Sequence, residues 1–188
     1  MATPLPKWLT LDASTLLNLC GTGRLVSIAR VLPCRLVVVD YVLKHEVLYI
    51  RRRNAEEGEQ ERELVDLGPL IEQGLIEVVH LQGEEEEATF VDLAAVVDDG
   101  EAMSFAVAYH RGWAVATDDR KARRVFAQRA AAVPLITTLQ LLRYWADWAG
   151  VQQAEVRNAL LEMQFAASYL PSEQDPLYPW WREVTQGA

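Results

Sequence analysis

Apolar positions along the chain follow two rhythms: short β-branched runs, and longer segments with three-to-four-residue spacing. The first marks strands and the second helices, because strand side chains alternate faces while helix side chains return about every 3.6 residues. WLTLDA (Trp8–Ala13) reads as a short strand. STLLNLCGTGRLVSIARVL reads as a helix, a break at Gly21 and Gly23, and a second helix. CRLVVVD (Cys34–Asp40) is a strand, and YVLKHEVLYIRRR a helix running to Arg53. LVDLGPLIEQ is a helix stopped at Gly74, followed by a strand from Leu75 to Leu81. EATFVDLAAVVDD and GEAMSFAVAYHRG are helices, the second closed by Gly112. WAVATDD is a strand, RKARRVFAQRA a helix, and VPLITT (Val133–Thr138) the last strand.

Short apolar strands alternating with helices predict parallel pairing with both sheet faces covered. The expected fold class is α/β: a three-layer α/β/α body with a mostly parallel central sheet, over residues 1–138. From Leu139 the pattern is helical only, so residues 139–188 read as a C-terminal helical extension packed on that body. Its tail, PSEQDPLYPWWREV, carries three prolines and the Trp180–Trp181 pair. With Trp145 and Trp148, these tryptophans suit either packing or an interface, where tryptophan is enriched.

Composition narrows the class. A chain of 188 residues with 51% hydrophobic content can bury a real core. No apolar run is long enough to span a bilayer. MATPLPKWLTLD lacks a basic segment leading into an apolar one, so no signal peptide is expected and a cytoplasmic location follows. Cys20 and Cys34 form no CxxC pair and read as small buried apolar residues. The net charge of −9 argues against a broad, sequence-independent grip on nucleic acid, though not against a local one. The acidic runs EEGEQERE (Glu56–Glu63) and EEEE (Glu84–Glu87) read as solvated helix ends or loops. His45, His80 and His110 have no metal-ligand spacing.

The chemistry is carried by carboxylates at strand ends, where ligands bind in an open parallel sheet. Asp12 follows WLTL, Asp40 follows RLVVV, and Asp118–Asp119 follow AVAT. Each alone also suits a helix N-cap. Glu46 stands with Val42 and Ile50 at i, i+4 and i+8 of the expected helix, beside Leu43, Val47 and Tyr49. A carboxylate on such an apolar stripe is costly unless paired or holding a metal. Glu101 opens a helix after Gly100, where the dipole favours an anion. Gathered at one sheet edge, these acids would repel one another without a cation, and hard oxygen ligands suit Mg²⁺ or Mn²⁺.

In chain order these residues resemble the PIN-domain ribonucleases, which include the VapC-like toxins of toxin–antitoxin pairs. LDASTLLNL resembles the first motif of that family, with Asp12 and Ser14. VLKHEV resembles the second, with Glu46. DDGEAMSFAVA resembles the third, with Glu101, and Asp98 and Asp99 crowd it. ATDDRKARRVF resembles the fourth, with Thr117 and either Asp118 or Asp119: a T-x-D alignment picks Asp119 and the strand-end position picks Asp118. The resemblance covers roughly residues 8 to 138. Many relatives end near the last strand, and Asp40 stands where they often carry proline or serine.

The resemblance implies that residues 1–138 are a PIN-like domain hydrolysing RNA with Mg²⁺ or Mn²⁺. Asp12, Glu46, Glu101 and Asp118 or Asp119 would be metal ligands and catalytic acids, with Ser14 and Thr117 orienting them. Arg120, Lys121, Arg123 and Arg124 would meet the RNA backbone. It also implies a homodimer, a possible cognate antitoxin protein and no membrane partner. The alternative is a catalytically silent PIN-like module that binds nucleic acid or protein. A phosphoryl-accepting receiver domain is disfavoured, because LTLDAS has a single acid and no lysine follows VPLITT.

Overall fold

The computed structural model describes residues 5–46, 49–53 and 60–187. Its frame is a five-stranded sheet built from β1 (Trp8–Leu11), β2 (Arg35–Val39), β5 (Ile76–Val79), β6 (Ala114–Ala116) and β7 (Leu135–Ile136). The strand order is β5-β2-β1-β6-β7 and all pairings are parallel. The register sets Leu9 beside Leu36 on one side and Ala114 on the other. Helices flank this sheet, giving the α/β/α layering that strand–helix alternation predicts.

The sheet faces divide by alternation. Leu9 and Leu11 are fully buried in one large cluster with Leu16 and Leu19 of α1 (Ala13–Gly21) and Ile28 of α2 (Leu25–Val31). Thr10 points the other way and its hydroxyl donates to the Ala114 carbonyl at 3.0 Å. On that side Val115 packs with Leu93 of α5 (Gly83–Ala94), Phe105 of α6 (Asp99–Arg111) and Phe126 of α7 (Arg120–Arg129). Phe105 and Phe126 stack with centroids 4.2 Å apart, an arrangement that adds about 1 kcal/mol beyond area burial.

The C-terminal helices share the large cluster. Leu139, Leu142 and Trp145 of α8 (Thr138–Trp148) and Leu160 and Met163 of α9 (Gln153–Ala166) are buried in it. Trp145 donates its indole N–H to the Ser27 hydroxyl at 3.0 Å. The proline-rich tail contains a further helix, α10 (Tyr178–Gln186), begun with proline in its first turn where a missing N–H costs nothing. Its Trp181 and Val184 are buried against the same core. Among the described residues, no helix is long and apolar enough to cross a membrane.

The chief departure from the sequence reading lies after β2. The expected helix to Arg53 stops early, as α3 (Asp40–His45), and the chain turns into a two-stranded antiparallel hairpin of β3 (Tyr49–Arg53) and β4 (Gln60–Leu64). Cross-strand charge favours the strands over the helix: Arg52 Nε meets Glu63 at 2.6 Å, a diagonal neighbour pair. Aromatic and β-branched Tyr49 and Ile50 favour a pleated surface as well. The arginines Arg51–Arg53 are therefore strand residues rather than a helix end. Of the acidic run Glu56–Glu63, residues 56–59 lie outside the described residues, as do residues 1–4 of the N-terminal segment and Val47 beside Glu46. The short α4 (Gly68–Glu72) follows the hairpin.

The second acidic run also differs. Glu86 is buried and meets Arg111 Nε at 2.7 Å, so one member of EEEE is a structural ion-pair partner rather than a solvated charge.

Candidate metal and phosphodiester site

Strand order locates the site. The chain runs outward from β1 to β2 and β5, then returns to the other side of β1 for β6 and β7. The order reverses between β1 and β6, and the crevice beyond the carboxyl ends of two such strands is where open α/β sheets bind ligands. Asp12 leaves β1 there, and Thr117, Asp118 and Asp119 leave β6 beside it.

Asp12 forms the floor. It is 1% exposed. As N-cap of α1 it accepts the Thr15 N–H at 2.6 Å and the Ser14 hydroxyl at 3.0 Å. The Thr117 hydroxyl also bonds its carboxylate and accepts the Asp119 N–H at 3.2 Å. Burial nevertheless raises the Asp12 pKa, with the bonds from Thr117, Thr15 and Ser14 opposing the shift.

Glu46 reaches the crevice from the end of α3 rather than from a mid-helix stripe. Its N–H donates to the Val42 carbonyl at 3.1 Å as the helix ends. Its carboxylate passes over Gly100 so closely that a β-carbon there would overlap Oε1. Burial raises its pKa, and the charges of Asp12, Asp98 and Asp99 raise it further.

Glu101 sits in the first turn of α6, where its Oε2 accepts the Asp98 N–H at 3.4 Å in a reciprocal capping arrangement. Its pKa is pushed up to about 7, by burial first and then by Asp119 and Asp12. Asp118 is pushed up to about 6, chiefly by burial and also by Asp12, while bonds from Thr138 oppose the rise. The Asp118 Oδ1 accepts the Thr138 N–H at 3.0 Å, and its Oδ2 accepts the Thr138 hydroxyl and the Asn18 amide. Asp119 is exposed at the rim and caps α7, accepting the Ala122 N–H at 2.7 Å.

The charge of Asp12 thus bears on Glu46, Glu101 and Asp118, and that of Asp119 on Glu101. Among the described residues, no three carboxylate, imidazole or thiol groups stand close enough to form a ready-made metal shell. The donor chemistry fits a hard divalent cation all the same. The five acids Asp12, Glu46, Glu101, Asp118 and Asp119 are all oxygen donors. A cation among them would offset the mutual repulsion that adds to burial in raising the Glu46, Glu101 and Asp118 pKa values.

Two further acids at this edge take other roles. Asp40 meets Lys44 and, at 2.9 Å, His80 Nδ1. Asp99 Oδ2 accepts the Tyr41 hydroxyl at 2.9 Å. Of the four basic residues after Asp119, only Arg120 and Arg123 line the groove that opens at Asp118; Lys121 and Arg124 do not. Arg123 Nη1 donates to the Thr117 carbonyl at 2.9 Å. A depression of about 680 Å³ lies elsewhere, lined by Arg24, Arg30 and Arg52, and includes none of the five acids.

Sequence reasoning missed Asn18, Gly100 and Thr138. Asn18 lies four residues after Ser14 on α1, a spacing that places both on one helix face, and this periodicity could have flagged it. Gly100 and Thr138 gave no signal without the fold. Comparison with protein-family models, curated proteins and solved structures found no match in any of the three.

Proposed function

We propose that the chain is a Mg²⁺- or Mn²⁺-dependent endoribonuclease of PIN type, with its reacting centre in the crevice between β1 and β6. The observation that carries this reading is the convergence on Asp12: Glu46 from α3, Glu101 from α6 and Asp118 from the end of β6 all feel its charge. Burying like charges together is costly, and function is where that cost recurs. Asp12, Glu46, Glu101 and Asp118 or Asp119 would hold the ion. When bound, such an ion offsets charge on a phosphodiester and acidifies water. Ser14 and Thr117 fix the Asp12 carboxylate, so its free lone pairs face the crevice in one orientation. Arg120 and Arg123 supply local attraction for a phosphate backbone on a chain of net charge −9.

The reading extends to the toxin half of a toxin–antitoxin pair, whose partner would be a cognate antitoxin protein, and to a homodimer in the cytoplasm. A second reading is a catalytically silent PIN-like module that binds nucleic acid or protein, in which the same acids stand without turning RNA over.

End-labelled single-stranded RNA incubated with the full chain and Mn²⁺ separates the two. The nuclease reading expects cleavage leaving 5′-phosphate and 3′-hydroxyl ends, abolished by chelation and by Asp12→Asn. Intact RNA at millimolar Mn²⁺ would favour the silent module.

A further inference from the structure

The C-terminal extension does more than cover the sheet. After α9 the chain turns at Ser168, the one non-glycine residue with positive φ (57°) among those described. That conformation costs about 1 kcal/mol for an L-residue, and such strain concentrates at functional sites. The turn buries Tyr169, at 7% exposure, and thrusts Leu170 outward at 68%, the highest of the exposed large apolar residues among those described. The segment from Tyr169 to Pro176 then forms one wall of a groove of about 650 Å³. Arg120, Arg123, Thr137 and Asp118 complete its lining.

We propose that this groove is a subsite for one nucleotide of a single RNA strand, adjoining the phosphodiester to be cut. The proposal rests on the ribonuclease reading of the acid crevice. Three observations identify the occupant. The groove is continuous with the candidate centre, because Asp118 belongs to both. Its two guanidinium groups form no ion pair with any carboxylate among the described residues; Arg120 is exposed and available to a phosphate, while Arg123 spends Nη1 on the Thr117 carbonyl and has its remaining N–H groups to offer. Its wall from Tyr169 to Pro176 offers Leu170 and Pro176, both exposed, an apolar surface that suits the face of an unstacked base.

The remaining polar groups refine the fit. Asp175 is occupied, since its Oδ1 accepts the Leu177 N–H at 2.7 Å. Glu173 is exposed and keeps its carboxylate as an acceptor for base amino groups. A paired base would already have its hydrogen-bonding edge in use, so the groove selects single strands over duplexes.

The test measures binding and cleavage separately in the full chain. Fluorescence anisotropy follows a labelled ten-nucleotide RNA of mixed sequence with Mn²⁺, in an Asp12→Asn background. Arg120→Gln and Leu170→Ser are each added, with Val91→Ser, also exposed but on α5, as control. Both groove variants should weaken binding about tenfold, and the control should not. Melting temperatures within a few degrees of the parent establish that the variants are folded. In the chain with Asp12 restored, the same substitutions should raise KM about tenfold with kcat largely retained.

Binding equal to the parent in both groove variants would overturn the subsite, as would equal affinity for the duplex of the same sequence, or no RNA binding by the parent. RNA that is bound through the groove but never cut would sink the nuclease reading and leave the subsite standing. RNA that is cut with unchanged KM in both variants would do the reverse.

Discussion

The Glu46 carboxylate occupies the space that a side chain at residue 100 would fill. Gly100 lies in the first turn of α6, so this close approach is what lets the acid that ends α3 lie over the start of the helix carrying Glu101. The glycine is required by its neighbour, and no positive φ is involved.

Gly100→Ala should therefore act on Glu46. Alanine suits a helix better than glycine by about 1 kcal/mol, and the group in its way is the flexible end of a glutamate. Thermal stability should change by no more than about 1 kcal/mol. The Mn²⁺-dependent cleavage rate should fall at least tenfold, as in Glu46→Gln. The double variant should be no slower than Glu46→Gln alone, because both changes remove the same group. Additive losses would show that Gly100 serves some other purpose.

The raised acids predict an unusual pH dependence. Asp118 and Glu101 have folded pKa values of about 6 and about 7, above their unfolded values. Between pH 4.5 and 7 the folded chain then holds more protons than the unfolded one. Metal-free stability should fall as pH rises through this window, with a limiting slope of about 1.4 kcal/mol per pH unit for each group and less for the half-exposed Glu101. Asp40 and Glu86 have lowered values and act oppositely, but only below that window. Melting curves should show a large Mn²⁺ effect at pH 8 and a small one at pH 5. A metal-free melting temperature that climbs from pH 5 to pH 8 would contradict this.

Asp118 and Asp119 should separate by substitution. Both Asp118 oxygens already accept bonds from Thr138, and Asn18 adds another. Asp119 spends Oδ1 on the α7 cap, and of the neighbouring charges its own acts most strongly on Glu101. Asp119→Ser keeps the cap and should lower the cleavage rate more than Asp118→Asn does. Asp118→Asn should cost stability instead, about 1–3 kcal/mol, because one acceptor of the Thr138 donors becomes an amide. The reverse ranking in rate and melting temperature would assign the reacting role to Asp118.

The alternation of RLVVV, IEVV and AVA with helical segments made the parallel sheet legible, because buried central strands read as continuous apolar runs. Asp12 and Asp118 were legible for the same reason: the strands before them fix where they emerge. Glu46 was singled out by a helical stripe that does not exist. Local propensity across YVLKHEVLYIRRR favoured a helix, and cross-strand pairing of Arg52 with Glu63 overrode it. That partner lies eleven residues further on, beyond any local window. The dependence of Glu46 on Gly100 was hidden for a related cause, since contact between distant segments leaves no periodicity. The stretch from Pro171 to Pro176 read as a plain tail because proline and serine mark loops without saying what the loops adjoin.

The central claim, that the crevice acids act together as one cation site, is met most directly by counting bound Mn²⁺. Electron paramagnetic resonance of free Mn²⁺ during titration of the full chain at pH 8 should show saturable binding below millimolar concentration. Affinity should fall at least tenfold in Asp12→Asn and in Glu101→Gln, and stay unchanged in Asp40→Asn, which lies at the same edge but pairs with Lys44 and His80. Unsaturable binding, or equal affinity in all three variants, would contradict the account.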